Sequence, residues 1–262
     1  MVHFVGAGSG APDLITVRGM RLIGSADVII YTGSLINPEL LGCAAKSCRL
    51  HNSAYLNLDE VIALMKDAEE QGLTTVRLHT GDTSLYSAVR EQMDRLSRLG
   101  IAYDVCPGVS SFCGAAAALG AEYTLPGVSQ SVIITRMAGR TPVREQESMR
   151  SLASHQATMV IFLSMGLLEE LTRELIAGGY GEDTPAAIVY KATWPEQKVI
   201  YCTVSGLAQA AEKNGITKTA LVAVGYFLGD SYELSKLYDA AFATEYRSAD
   251  TRACGTDGGK DK

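Results

Sequence analysis

The chain has no uninterrupted apolar run near the roughly 20 residues that a membrane span needs, so no membrane partner is expected. No charged region, apolar core and cleavage site precede the first strand, so no secretory signal is read and the cytoplasm is the expected compartment. The six cysteines, at 43, 48, 106, 113, 202 and 254, include no C-x-x-C pair. The four histidines, at 3, 51, 79 and 155, fall without ligand spacing. Zinc ribbons and disulfide frameworks are thereby disfavoured, and no metal is expected. Lysine- and arginine-rich runs are missing and the net charge is −6, which disfavours duplex nucleic acid. No internal repeat is found. What remains is 262 residues, 47% apolar, enough core for one large domain or two ordinary ones.

The most informative stretch is Phe4-Val5-Gly6-Ala7-Gly8-Ser9-Gly10-Ala11-Pro12-Asp13. A short apolar run, Val2 to Val5, reads as a buried first strand, and three glycines follow at alternate positions. Glycine serves where the chain takes positive φ or lets a ligand touch bare backbone. A glycine turn after a first parallel strand commonly seats a nucleotide-like ligand. Gly6, Gly8 and Ala11 match G-x-G-x-x-G/A, yet two features oppose a dinucleotide. Pro12 and Asp13 interrupt the passage into a helix. Asp27 starts the second strand, whereas a ribose-binding acid ends it.

Along the chain, helical and strand patterns alternate through about residue 120. Strands are expected over 28–31, 48–51, 75–79 and 101–105. Helices are expected over 16–24, 58–71, 84–99 and 112–119, with a short one opened by Pro38. After Pro126-Gly127 the pattern changes. Strands over 131–135, 158–162, 186–190, 197–203 and 220–227 accompany helices over 165–177 and 207–214. The strands around Thr193-Trp194-Pro195-Glu196 look hairpin-linked, which implies an antiparallel component. The expected architecture is α/β in two domains: 1–125 with a mostly parallel sheet and 126–247 with a mixed one. The active-site cleft is expected between them, and a disordered tail over 248–262.

Five segments fall at strand ends or turns: Gly6–Pro12, Gly81–Tyr86, Pro107–Ser111, Ser164–Gly166 and Lys191–Glu196. Singly, Gly81-Asp82 and Pro107-Gly108 read as plain turns and Ser110 as a helix cap. In their joint order they resemble the tetrapyrrole methylases, the class III S-adenosylmethionine-dependent methyltransferases, over nearly the whole chain. That family carries a first-strand V-G-x-G-x-G, a G-D-P-x-x-Y/F-G loop and a P-G-x-S/T-S/A turn. This chain departs at Thr83, where proline is usual, and at Ser87, where glycine is usual. Three further runs, Tyr31-Thr32-Gly33-Ser34-Leu35, Ile134-Thr135-Arg136 and Lys191-Ala192-Thr193-Trp194-Pro195-Glu196, resemble the corrin-ring branch of the family. That branch methylates precorrins in cobalamin synthesis. The uroporphyrinogen-III branch usually has an acid and an arginine where this chain has Thr32 and Gly33.

The resemblance implies S-adenosylmethionine as methyl donor, held by Ser9, Gly81, Asp82, Leu85, Ser110, Ser111, Met165 and Ala192. Asp82 also reads as an Asx-turn cap and Met165 as core packing. The implied substrate is a tetrapyrrole rich in carboxylates, which a chain of net charge −6 must meet with local positive charge. Arg136 and Lys191 are the chosen substrate contacts; Arg18 and Arg140 are further candidates. No His–Asp or Ser–His–Asp grouping is read, so no catalytic base is assigned. Family members are commonly homodimers, which implies one here. The alternatives are another tetrapyrrole methylase, acting on uroporphyrinogen-III or on precorrin-2 or -3, a non-catalytic nucleotide-binding module and a dehydrogenase.

Overall fold

The computed structural model describes residues 1–139 and 141–249. Strand β1 (Val2–Gly6) lies second from one edge of a five-stranded parallel sheet. Its neighbours are β4 (Thr75–His79) and β5 (Tyr103–Cys106); beyond β4 come β2 (Val28–Tyr31) and β3 (Arg49–Asn52). A parallel sheet must be covered on both faces, which explains why β1, β2 and β4 are almost continuously buried. Helices α1 (Val17–Ser25) and α2 (Pro38–Leu41) cover one face. Helices α3 (Leu58–Glu70) and α4 (Val89–Arg98) cover the other. Caps start them where the sequence provides a short polar side chain. Thr16 accepts from the Gly19 amide at 3.0 Å, and Asn57 with Glu60 closes a capping box at 3.0 and 2.8 Å.

A second five-stranded sheet contains β6 (Val132–Arg136), β7 (Thr158–Phe162), β8 (Pro185–Tyr190), β9 (Lys198–Thr203) and β10 (Ala220–Val224). Its order is β6-β7-β10-β8-β9, with β6 and β7 parallel and every other pair antiparallel. The sheet is therefore mixed, as expected from the β8–β9 hairpin. Helices α6 (Met149–Ala153), α7 (Leu168–Ala177) and α8 (Leu207–Lys213) pack on one face. The other face takes α5 (Ser111–Leu119), together with Tyr123 and Phe227. The alanines of α5, Ala115 and Ala116, let it lie close to β8 and β10. The chain thus crosses from one sheet to the other immediately after the third glycine turn, which draws the loop edges of both sheets together.

Some elements begin later than their hydrophobic spacing suggests. The strand expected over 48–51 runs one residue on, and that over 101–105 starts at Tyr103. The helix expected from Ser84 starts only at Val89. Tyr86 at φ 53° and Ala88 at φ 50° are left-handed, and no right-handed helix continues through such residues. The helix expected from Met165 opens with a 3-10 turn, Met165–Leu167, ahead of α7. Helix α6 has no counterpart in the expected pattern, because five residues are too few to show a period. Of the expected tail, 250–262 lies outside the described residues. Among the described residues no helix is long and apolar enough to cross a membrane.

Candidate active site

Three adjacent strands, β4, β1 and β5, deliver their C-terminal turns to one place. The turns touch through backbone. Gly8 and Gly81 exchange amide hydrogen bonds at 3.2 and 2.9 Å, and the Ala7 amide donates to the His79 carbonyl at 2.7 Å. A Cβ on Gly6 would stand 2.6 Å from the Gly81 carbonyl oxygen and 2.7 Å from Gly108 Cα. Only glycine permits that approach. Asp82 then staples the second turn to the third. Its Oδ2 accepts from the Gly108 amide at 2.7 Å, while Oδ1 accepts from the Ser84 amide at 2.9 Å and from the Ser84 hydroxyl. Burial alone would raise the Asp82 carboxyl; the Ser84 hydroxyl and the Gly108, Ser84 and Thr83 amides outweigh it and hold it below the usual carboxylate range.

The second sheet closes the site from the other side. The β8–β9 loop places the Thr193 hydroxyl 3.0 Å from the Ala11 amide, which donates to it, and 3.1 Å from the Ser9 hydroxyl. Trp194 lies against Gly10, where a Cβ would meet its ring at 2.2 Å. The Asn37 amide donates to the Gly10 carbonyl at 3.0 Å from the opposite side. At the end of β7, Phe162 packs on Tyr86 with ring centroids 5.3 Å apart. Ser164 ties β6 to β7 there: its hydroxyl donates to the Phe162 carbonyl at 2.7 Å and accepts from the Met137 amide at 2.9 Å.

Of the residues expected to hold a cofactor, Ser9, Gly81, Asp82, Ser110, Ser111 and Ala192 lie on these joined turns. Ser9, Ser110 and Ala192 are buried there. Leu85 is half-buried within the loop that Asp82 opens. The Met165 side chain packs instead against the helix-covered core of the second sheet. The expected substrate contacts have protein partners of their own. The Arg136 guanidinium donates to the Met137 and Thr141 carbonyls, both at 3.1 Å, and to Pro142 at 3.4 Å. Lys191 Nζ sits 3.0 Å from Glu196 and 5.2 Å from the Trp194 ring centroid. Arg18 is exposed on α1, and Arg140 lies outside the described residues.

Thr193, Trp194 and Asn37 are the site residues that reading along the chain missed. Thr193 and Trp194 stand inside the Lys191–Glu196 run that carries the resemblance, and that membership is the one signal the sequence held; their seating on the glycine turn comes from the fold. For S-adenosylmethionine, the group the resemblance implies, the residues fit. Ser110 is 6% exposed, yet its side chain makes no capping bond to α5. Small hydroxyls and an ionised carboxylate are what an amino-acid end and a ribose require.

The chain matches the family model described as Tetrapyrrole (Corrin/Porphyrin) Methylases over residues 1–208. It is 51% identical over 249 residues to the cobalt-precorrin-4 C(11)-methyltransferase of Methanocaldococcus jannaschii, covering 95% of this chain and 96% of that one. It is 44% identical to a precorrin-4 C(11)-methyltransferase of a Sinorhizobium species, covering 94% and 98%. Its structure resembles the crystal structure of the cobalamin biosynthetic enzyme cobalt precorrin-4 methyltransferase, with a TM-score of 0.85 at 42% identity over 87% of this chain and 96% of that one. With its three glycine turns joined by backbone and closed over by the Thr193-Trp194 loop, the chain belongs to the tetrapyrrole methylase family.

Proposed function

We propose that the chain is an S-adenosylmethionine-dependent C-methyltransferase that methylates C11 of precorrin-4 or cobalt-precorrin-4 in corrin-ring synthesis. The observation that carries this reading is the seating of Thr193 and Trp194 on the first glycine turn. It brings the run that resembles the corrin-ring branch onto the proposed cofactor turns. The relatives named above bear the same activity in their names. When bound, the cofactor supplies an electrophilic methyl group on a sulfonium. The residues of the chain then have one task, to hold that methyl in line with a nucleophilic carbon, and positioning alone supplies much of the acceleration.

In this reading Asp82, kept ionised, and the hydroxyls of Ser9, Ser110 and Ser111 hold the polar ends of the cofactor, with Gly81, Leu85, Met165 and Ala192 as its other contacts. Arg136 and Lys191 face the carboxylates of the macrocycle. Arg136 spends donors on three loop carbonyls, which preorganises its guanidinium and leaves others free. We place the enzyme in the cytoplasm as a homodimer. Members of the family are commonly homodimers, which supports a second copy.

Calorimetric titration with S-adenosylhomocysteine, with NAD as control, tests the cofactor. Saturable binding of the former alone supports the reading; binding of NAD alone overturns it. Turnover of precorrin-4 and of its cobalt complex, read by mass spectrometry as the gain of one methyl, tests the substrate.

A further inference from the structure

The loop from Asp82 to Ala88 is anchored at both ends, and the second anchor is buried. Arg77, on β4, is 5% exposed, and among the described residues no carboxylate pairs with it. Its guanidinium donates to Gln92 Oε1 at 3.0 Å and to the Ile30 carbonyl at 3.1 Å. Gln92, also buried, sits in the first turns of α4, and its side-chain amide donates to the Ala88 carbonyl at 3.1 Å. A buried cation is costly, and apolar residues of similar volume fill a core at least as well. What the pair provides is direction. The guanidinium locks the Gln92 amide so that its nitrogen must face Ala88.

We infer that Gln92, locked by Arg77, is a positioning residue for the methyl-transfer site, holding the Ala88 end of the loop as Asp82 holds the other. This deepens the methyltransferase reading and rests on it. Ala88 is left-handed at φ 50°, a conformation that costs an alanine roughly 1 kcal/mol and persists only where its surroundings impose it. Between the anchors lies Tyr86, also left-handed, which packs on Phe162 of the second sheet. Burial raises the Tyr86 hydroxyl; the Arg136 cation opposes that rise and the Glu147 carboxylate adds to it. The Gln92 anchor therefore sets the part of the loop that faces Arg136 and the proposed macrocycle. The Asp82 anchor sets the part that faces the cofactor.

Gln92→Glu separates the two bonds. It keeps an acceptor for Arg77 and removes the donor to Ala88. The expected result is a loss of kcat/KM for the precorrin of roughly threefold to tenfold, carried mainly by KM, the scale of one lost hydrogen bond. Affinity for S-adenosylhomocysteine should stay within about twofold, and the melting temperature within about 2 °C. Amide hydrogen exchange should speed up over 85–88 and stay unchanged over 82–84. Gln92→Met drops both bonds and leaves the buried Arg77 guanidinium short of an acceptor, so it should lower the melting temperature as well as kcat/KM, and Gln92→Glu alone carries the split. An unchanged kcat/KM, or a loss matched by equal losses in cofactor affinity and melting temperature, overturns the inference. Should the wild-type protein fail to methylate a precorrin, the methyltransferase reading falls. Exchange over 85–88 then still decides whether Gln92 holds the loop, and no change there removes it.

Discussion

Gly108→Ala puts the joined glycine turns to the hardest test. The added Cβ would lie 2.2 Å from the Gly81 carbonyl oxygen, 2.7 Å from Gly6 Cα and 2.8 Å from the Gly6 carbonyl carbon. Ordinary contact begins at 3.4 Å, so the deficit is about 1.2 Å. All three obstacles are backbone, and no side chain can swing aside. The third turn must retreat by about 1 Å, and overpacking of this kind costs ~1–3 kcal/mol. Retreat also draws the Gly108 amide away from Asp82, 2.7 Å distant, and gives up a bond to a charged acceptor that is only partly shielded from water. For a chain of this length the melting temperature should fall by roughly 4–10 °C. A displacement of about 1 Å in positioning groups costs on the order of 100-fold in rate, and binding of S-adenosylhomocysteine, which this reading places on the same turns, should weaken too. Gly100→Ala is the control. It has φ +69° and nothing within 4 Å of its added Cβ, so it bears a backbone penalty alone. It should melt slightly lower and bind normally. A Gly108→Ala protein that melts and binds like wild type would refute the close packing of the three turns.

The remaining perturbations address single bonds. Thr193→Val keeps the branched shape but removes the acceptor of the Ala11 amide, and calorimetry should show S-adenosylhomocysteine binding weakened roughly threefold to tenfold; unchanged affinity would remove Thr193 from the site. Asp82→Ala should lower both cofactor affinity and melting temperature, because the carboxylate also staples Gly108 and Ser84; loss of affinity alone would show the staple to be unimportant. Arg136→Ala should raise KM for the macrocycle and leave cofactor affinity unaltered, and an equal loss of both would place Arg136 elsewhere. His79 gives a pH test. It is 2% exposed, with Nε2 unpartnered among the described residues, and burial, then the Arg77 cation, push its pKa down to about 3. Unfolded, it would take a proton below about 6.5, so the unfolded state binds more protons and stability falls as pH drops from about 6.5 towards 3. Between pH 7 and 5 the wild type should lose about 2 kcal/mol more than His79→Gln; equal shifts in melting temperature would rule out His79 as the cause.

Much was legible in order along the chain. Short apolar runs and period-3.6 patterns are properties of neighbouring residues, so Val2–Val5, Thr75–His79 and Thr158–Phe162 announced themselves as strands. The three glycine turns were legible because glycine beside proline, aspartate and serine has few other uses. The loop over 84–88 was not. Its spacing suits a helix, and what prevents one is Asp82 bound to Gly108 and Gln92 bound to Arg77, contacts absent from any local window.

The order of the sequence thus determined by itself the α/β class, the mixed character of the second sheet, the family and the turns that build the site. Each of these depends on residue type and short spacing. Only the tertiary structure decided which partners those residues keep. It seats Thr193 on Ala11, 182 positions away, sends α5 to the second sheet, and gives Arg136 and Lys191 partners within the protein. A residue's type states what charge or hydrogen bond it offers, whereas what meets it depends on distances that exist only once both sheets have folded and closed on each other.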